Sequence, residues 1–264
     1  MPAKVRMKLA KRLIVSEKAW AFESLLRAIE EFYCRMVGKE IIECFGDSHT
    51  GVFWGLNHER RSEKYFFRVV TVRGATALGL GNPNSQTNAL NIFKFWLERI
   101  PPHRKVLFLM GEVDTGFLLW LRAKKYNLSP ERCLCELFGR YKDFLQGVRE
   151  KHNLLVCSVP LPTLNNYDFM NDNDVARARK EVKVSQLERT RMTLLFNQYL
   201  KKWAEDQDVV FLDLDSYSYD NSTGLVNAEL INKDWPDHHY NPEAYRKILL
   251  QGMLQTGALP QLSS

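Results

Sequence analysis

The sequence predicts an α/β fold, a three-layer α/β/α sandwich in which helices cover both faces of a five-stranded parallel sheet. The first observation is a set of five short apolar runs rich in β-branched residues, at residues 40–46, 66–72, 105–111, 153–160 and 208–215. Nearly continuous apolar runs of this length are typical of strands that are buried on both faces. The second observation is that helical patterns separate most of these runs. No linker rich in Pro, Gly or Ser interrupts the alternation, so we expect one domain.

Helices between and after the strands are indicated by caps and by apolar spacing. Ser129 and Pro130 predict the start of one helix, and Asn241 and Pro242 predict the start of the last one. A further helix before the last strand is predicted by apolar residues at helical spacing: Met192, Leu195, Phe196, Tyr199 and Trp203.

An extra N-terminal helix is predicted between Ser16 and Gly38, ahead of the first strand. It has one wide apolar face, formed by Phe22, Leu25, Leu26, Ile29, Phe32, Tyr33 and Met36. We expect this face to pack against the following domain, with a dimer contact as the alternative. The predicted organisation is therefore a basic leader and amphipathic helix over residues 1–38, packed on a domain that spans 39–264.

The leader concentrates part of the net charge of +6, because Lys4, Arg6, Lys8, Lys11 and Arg12 all precede the first acid, Glu17. We interpret it as a solvated segment, with peripheral contact to a membrane surface or an anionic polymer as the alternative. Nucleic-acid binding is not expected, since no motif of basic and aromatic residues accompanies the charge.

Several features predict a cytoplasmic location. No stretch approaches the roughly 20 apolar residues of a membrane span, and the N-terminus lacks the apolar core of a signal peptide. The five cysteines are an odd, scattered set, so buried reduced thiols are expected. The spacing of Cys133 and Cys135 does not fit a zinc knuckle, and no metal or other cofactor is predicted.

Polar residues collect where the predicted strands end, which is where ligands bind in open parallel sheets. The first strand ends in Gly46, Asp47, Ser48 and His49, and the third is followed by Gly-Glu-Val-Asp at 111–114. The sequence Asp-His-His-Tyr-Asn-Pro, at 237–242, comes directly before the last helix.

These three blocks resemble the conserved blocks of the SGNH (GDSL-type) hydrolase superfamily in their order and spacing over residues 40–255. The resemblance implies a flavodoxin-like sandwich with Ser48 as nucleophile and His239 as its base. Asp237, two residues before His239, is the candidate for orienting the imidazole, with Asp234 as the alternative.

The remaining site candidates follow from the same blocks. Asp47 is expected to accept hydrogen bonds from backbone N–H groups near the nucleophile, and His49 to line the pocket or start a helix. The resemblance implies oxyanion donors from Ser48 and from Gly74 or Gly79, but Val113 stands where the family has an Asn. Asn82 and Asn84 are candidate substitutes for that amide. Glu112 and Asp114 are predicted either to orient a sugar hydroxyl or to cap the following turn.

The resulting functional hypothesis is an SGNH-type serine esterase, acyl-hydrolase or acyltransferase. It would act on an acyl group, in particular acetyl, of a carbohydrate or other small molecule. Trp54, Trp120 and Trp235 are interpreted either as sugar platforms or as core residues. The alternative, suggested by Val113, is a non-catalytic carbohydrate- or ligand-binding module on the same fold.

Overall fold

The computed structural model describes residues 17–82, 84–164, 183–232 and 238–260, excluding the side chains of residues 17–19. The helices are α1 (Glu17–Met36), α2 (Phe53–Leu56), α3 (Ala89–Leu97), α4 (Leu119–Tyr126), α5 (Pro130–Arg149), α6 (Gln186–Asp206), α7 (Asp215–Ser218) and α8 (Pro242–Gln255). The strands are β1 (Glu40–Gly46), β2 (Tyr65–Thr71), β3 (Lys105–Leu109), β4 (Asn153–Cys157), β5 (Val210–Leu212), β6 (Tyr219–Asp220) and β7 (Leu225–Val226).

The five apolar runs form one parallel sheet in the order β2-β1-β3-β4-β5. The predicted bounds of β1 are reproduced, whereas β3, β4 and β5 each end earlier than the apolar run that predicted them. β6 and β7 form a separate antiparallel pair that the sequence did not predict.

Two apolar cores lie on opposite faces of the sheet, which confirms the three-layer α/β/α prediction. α3, α5 and α6 cover one face, and their side chains pack with Phe45 and Phe108 of the sheet. α2 and α8 cover the other face, where they pack with Ile42 and Leu107. Alternate residues of β1 and β3 therefore enter different cores, as the pleat of a strand requires.

The predicted caps of α5 and α8 are present. The Ser129 hydroxyl accepts the Arg132 N–H at 3.2 Å, and the Asn241 side chain accepts the N–H groups of Glu243 and Ala244. The sequence did not predict α3 and α4, and neither of them begins with a side-chain cap.

The predicted orientation of α1 is wrong. Its apolar face points to solvent, because the large side chains along it are each 44–70% exposed: Phe22, Leu25, Ile29, Phe32, Tyr33 and Met36. The opposite side of the helix packs on the domain through Trp20, which stacks on Trp96, and through buried Arg27 and Cys34.

A buried ionic cluster holds α1 in this orientation. The fully buried Glu43 of β1 accepts from Arg27 of α1 at 3.0 Å and from Arg68 of β2 at 2.8 Å. Arg68 also donates to Glu30 and Glu31 of α1 at 3.0 and 3.4 Å. Removing these charges from water costs free energy, and that cost is offset only while the charges remain paired. The cluster therefore fixes which side of α1 faces the sheet.

Within the described residues, no helix combines the length and the apolar character needed to cross a membrane.

Candidate active site

The turn after β1 is built around a close approach between β1 and β3. A side chain at Gly46 would overlap the Leu109 carbonyl oxygen and the Thr50 hydroxyl, so glycine is required there. The Thr50 hydroxyl donates to that same carbonyl at 3.2 Å. This contact ties the turn to the end of β3, and no sequence signal indicated the role of Thr50.

Asp47 organises the turn from a fully buried position. One carboxylate oxygen accepts the His49 N–H at 2.9 Å and lies 3.1 Å from His49 Nδ1. The other accepts the Gly111 N–H at 3.4 Å, which links the turn to the segment 111–114 after β3. Burial acts to raise the pKa of Asp47, but the neighbouring His49 and the two N–H groups outweigh it and lower that pKa below its usual value.

His49 is buried beside Asp47. Burial acts to lower its pKa, but the Asp47 carboxylate outweighs this and raises the pKa to about 9. As an imidazolium at neutral pH it donates from Nδ1 to Asp47, and its Nε2 lies 3.5 Å from the His238 carbonyl oxygen. The Asp47–His49 pair therefore joins the nucleophile turn to the loop before α8.

Ser48 and His239 meet at the carboxyl end of the sheet. The Ser48 Oγ lies 2.8 Å from His239 Nε2, although 191 positions separate the two residues in the sequence. Ser48 is the first residue of a short 3-10 turn (48–52), and the first hydrogen bond of that turn starts from the Thr50 N–H. Both side chains are partly exposed, so a substrate has access to them.

The orienting acids proposed for His239 lie outside the described residues. Asp237, Asp234 and Trp235 all belong to the segment 233–237, so their predicted roles stay predictions.

Comparison with solved structures finds similar folds at low sequence identity. An acetylxylan esterase from Geobacillus stearothermophilus matches with a TM-score of 0.50 at 15% identity, over 86% of this chain and 98% of that chain. A catalytic mutant of that esterase matches with a TM-score of 0.53 at 14% identity over the same shares. Neither protein-family profiles nor curated protein sequences give a match.

The chain has the fold of the SGNH hydrolases. A GDSL-like lipase from Bacteroides thetaiotaomicron is a further similar structure, with a TM-score of 0.49 at 12% identity over 84% of this chain and 88% of that chain.

The two glycines that were predicted as alternative oxyanion donors have different surroundings. Gly74 has φ +71° and occupies a turn closed by a hydrogen bond from the Ala75 N–H to the Val72 carbonyl, which leaves the Gly74 N–H outside that bond. The Gly79 N–H instead donates to the Thr76 hydroxyl at 2.9 Å. Of the two predicted donors, the Gly79 N–H is thus already engaged within its own loop.

The segment 111–114, which follows β3, contacts the loop after β2 through Asp114. The buried Asp114 carboxylate accepts the N–H groups of Ala77 and Leu78 at 2.7 and 3.2 Å, and burial raises its pKa to about 7. Asp114 is thus engaged with backbone in a neighbouring loop. Glu112 is also buried, and its Oε2 has no hydrogen-bond partner among the described residues.

Val113, which stands where the resemblance led us to expect an Asn, packs in a small apolar cluster around Phe117 with Leu118, Trp120, Leu121 and Val184. The Trp120 indole donates to the Thr115 carbonyl at 2.8 Å, so Trp120 is part of this packing. The candidate substitutes Asn82 and Asn84 are exposed, and the Asn84 N–H donates to the Asn82 side chain. Trp54 is half-buried on α2.

Three histidines could supply metal ligands in this site. One ligand nitrogen from each of His49, His238 and His239 lies within 4.8 Å of the other two. An ion bound through His239 Nε2 would displace Ser48 from that nitrogen, so metal binding of this kind and a working Ser–His pair exclude each other.

Proposed function

We propose that this protein is a serine acyl-hydrolase or acyltransferase that works through an acyl-enzyme on Ser48. The observation that carries the proposal is the 2.8 Å contact between Ser48 Oγ and His239 Nε2 at the carboxyl end of the sheet. A serine alcohol is a weak nucleophile until a base accepts its proton, and this distance allows that transfer.

The reaction follows from that contact. Ser48 Oγ attacks the carbonyl carbon of the substrate while its proton passes to His239 Nε2. When the tetrahedral intermediate collapses, the bond to the leaving alkoxide breaks, and His239 returns the proton to that oxygen. Water, or an acceptor hydroxyl in a transferase, then attacks the acyl-Ser48 ester with His239 again as base.

The negative oxygen of the intermediate needs donors, and backbone groups are the candidates. The Ser48 N–H precedes the first internal hydrogen bond of its turn, and the Gly74 N–H lies outside the bond that closes its own turn. Val113 offers no donor in place of the usual Asn, and loss of one donor typically costs about 3 kcal/mol. We therefore expect slow turnover on simple esters.

The proposed substrate is an acetyl group on a carbohydrate. This assignment draws on the resemblance of the sequence blocks and on the fold shared with an acetylxylan esterase. Asp237 is the proposed orienter of His239, with Asp234 as the rival.

A fluorophosphonate probe, which reacts with activated serines, tests the proposal. The wild type should be labelled, Ser48→Ala should not be labelled, and Ser222→Ala should be labelled like the wild type because Ser222 lies in an exposed turn. A folded but unlabelled wild type would overturn the proposal. Together with saturable carbohydrate binding, that result would support the non-catalytic module, which the apolar surroundings of Val113 favour. Release of acetate from acetylated xylo-oligosaccharides, compared with p-nitrophenyl acetate, then tests the substrate class.

A further inference from the structure

The solvent face of α1 carries a regular apolar stripe. Its five main residues follow one another at alternating intervals of three and four positions, and we call them the outer seam: Phe22, Leu25, Ile29, Phe32 and Met36. This is the a/d spacing of a heptad repeat, which places all five on one side of a helix that pairs with another helix.

The outer seam cannot turn inward without breaking the contacts that hold α1. The heptad position opposite the seam is occupied by Trp20, Arg27 and Cys34 in successive repeats. Arg27 and Cys34 are buried against the domain. Arg27 is ion-paired to Glu43 at 3.0 Å, so rotating the helix would leave buried charges without partners. The seam is therefore a fixed, preformed surface.

The exposed apolar area is close to what a stable dimer requires. A half-exposed aromatic or long aliphatic side chain presents roughly 100 Å². The five seam residues with adjacent Tyr33 and Val37 therefore present on the order of 700 Å². A standard interface buries about 800 Å² on each partner, and monomers rarely expose patches beyond about 600 Å².

The residues that flank the seam favour a second helix over a lipid surface. They are Ala21, Ala28 and Arg35 on one side and Leu26 and Tyr33 on the other. Small alanines allow another helix to approach closely, whereas helices that bind membranes usually carry several Lys or Arg along this boundary. Because the seam faces away from the domain, two copies can pair through it with their domains on opposite sides.

We propose that the chain forms a homodimer in which the outer seam of one copy packs against the outer seam of a second copy as a two-stranded coiled coil. α1 is already folded on its domain, so little ordering cost opposes the pairing of this short seam. The interface is isologous, and the same residues contribute from both copies.

Analytical ultracentrifugation of the full chain tests the proposal. The wild type should sediment as a species of twice 30.8 kDa at micromolar concentration. Replacing Ile29 and Phe32 together with glutamate should raise the dissociation constant at least about a hundredfold, with the helical content of the folded protein retained in circular dichroism. Leu187→Glu is the matched control, since Leu187 is an exposed apolar residue on α6, and it should leave the dimer intact.

A charge-swap experiment identifies the occupant of the seam. The acidic double variant (Ile29→Glu with Phe32→Glu) and the basic double variant (Ile29→Lys with Phe32→Lys) should each be monomeric, and a mixture of the two should restore dimers. A wild type that stays at 30.8 kDa up to about 100 µM would overturn the proposal. A monomeric wild type that binds phosphatidylserine vesicles through the seam would also overturn it. The same holds for a wild type that dimerises only after removal of residues 1–15.

Discussion

At the scale of single residues, His238 and His239 are adjacent in the chain but make different contacts in the candidate site. His239 contacts Ser48 through its ring, whereas His238 contributes its backbone carbonyl to His49. Alanine at 238 keeps that carbonyl, and alanine at 239 removes the base.

We therefore expect His239→Ala to slow fluorophosphonate labelling by at least about a hundredfold, because general bases typically contribute that much or more. His238→Ala should be labelled at nearly the wild-type rate. Circular dichroism of both variants serves as the folding control. Loss of labelling in His238→Ala with normal labelling of His239→Ala would reverse the assignment of the two histidines.

At the scale of elements, the junction between β1 and the nucleophile turn depends on the missing side chain of Gly46. Gly51 lies within the nucleophile turn itself, and a side chain there would meet nothing within 4 Å. The two glycines therefore make a matched pair of substitution sites.

Gly46→Ala should separate the turn from β3, because the obstructing Leu109 oxygen is backbone and cannot move cheaply. We expect a loss of about 1–3 kcal/mol in the free energy of unfolding and a strong loss of probe labelling. Gly51→Ala should be neutral in both urea unfolding and labelling. Normal labelling of Gly46→Ala would show that the close approach does not position Ser48.

The contact between α1 and the sheet depends in the same way on Glu43. Glu43→Ala leaves the buried guanidinium groups of Arg27 and Arg68 without their shared carboxylate, and breaking a buried pair of this kind typically costs about 3–5 kcal/mol. Glu40→Ala, on the same strand, breaks only a partly exposed pair with Lys105 at 3.1 Å and should cost about 1 kcal/mol or less.

Urea unfolding of the Glu43 and Glu40 variants provides the measurement. Equal, small losses from both substitutions would mean that water reaches the two arginines and that the ionic cluster does not fix α1.

At the scale of the whole molecule, the sheet was predictable because strands buried on both faces appear in the sequence as apolar runs. That pattern did not reveal the roles of Glu43 and Arg68, which lie opposite each other on β1 and β2 and are buried because they pair. The apolar stripe of α1 was visible in the sequence, but amphipathicity does not say what covers a stripe. Asn88, which precedes α3, is of a residue type that often caps helices, but it adopts a left-handed conformation and its side chain makes no capping hydrogen bond.

The candidate site likewise combines contacts that could be predicted from the sequence with contacts that could not. The meeting of Ser48 and His239 could be anticipated from the order of the blocks, since strand ends converge at one edge of a parallel sheet. The engagement of the Gly79 N–H by Thr76 depends on three-dimensional contacts within a loop, and spacing alone did not reveal it.

The global stability of the protein should depend on pH through the Asp47–His49 pair, because both residues are buried inside the fold. The pKa of His49 rises from 6.5 to about 9 on folding. A histidine with a raised pKa contributes its full stabilisation below pH 6.5 and loses it as the pH rises to about 9, since the unfolded chain releases the proton first. The whole contribution is on the order of 3 kcal/mol as an upper limit.

Urea unfolding of the wild type and of His49→Gln at about pH 6 and about pH 10 measures this contribution as a difference between the two proteins. The wild type should exceed His49→Gln in the free energy of unfolding by a large gap at the lower pH. This gap should narrow at the higher pH, where His49 is neutral in the folded and the unfolded wild type. Gly51→Ala, which changes no titratable group, is the control, and its gap should not depend on pH in this way. A His49→Gln gap that is the same at both pH values would mean that His49 is neutral in the folded protein. The contact between Asp47 and His49 would then be a neutral hydrogen bond rather than an ion pair, and only one of the two ring nitrogens of His49 could donate.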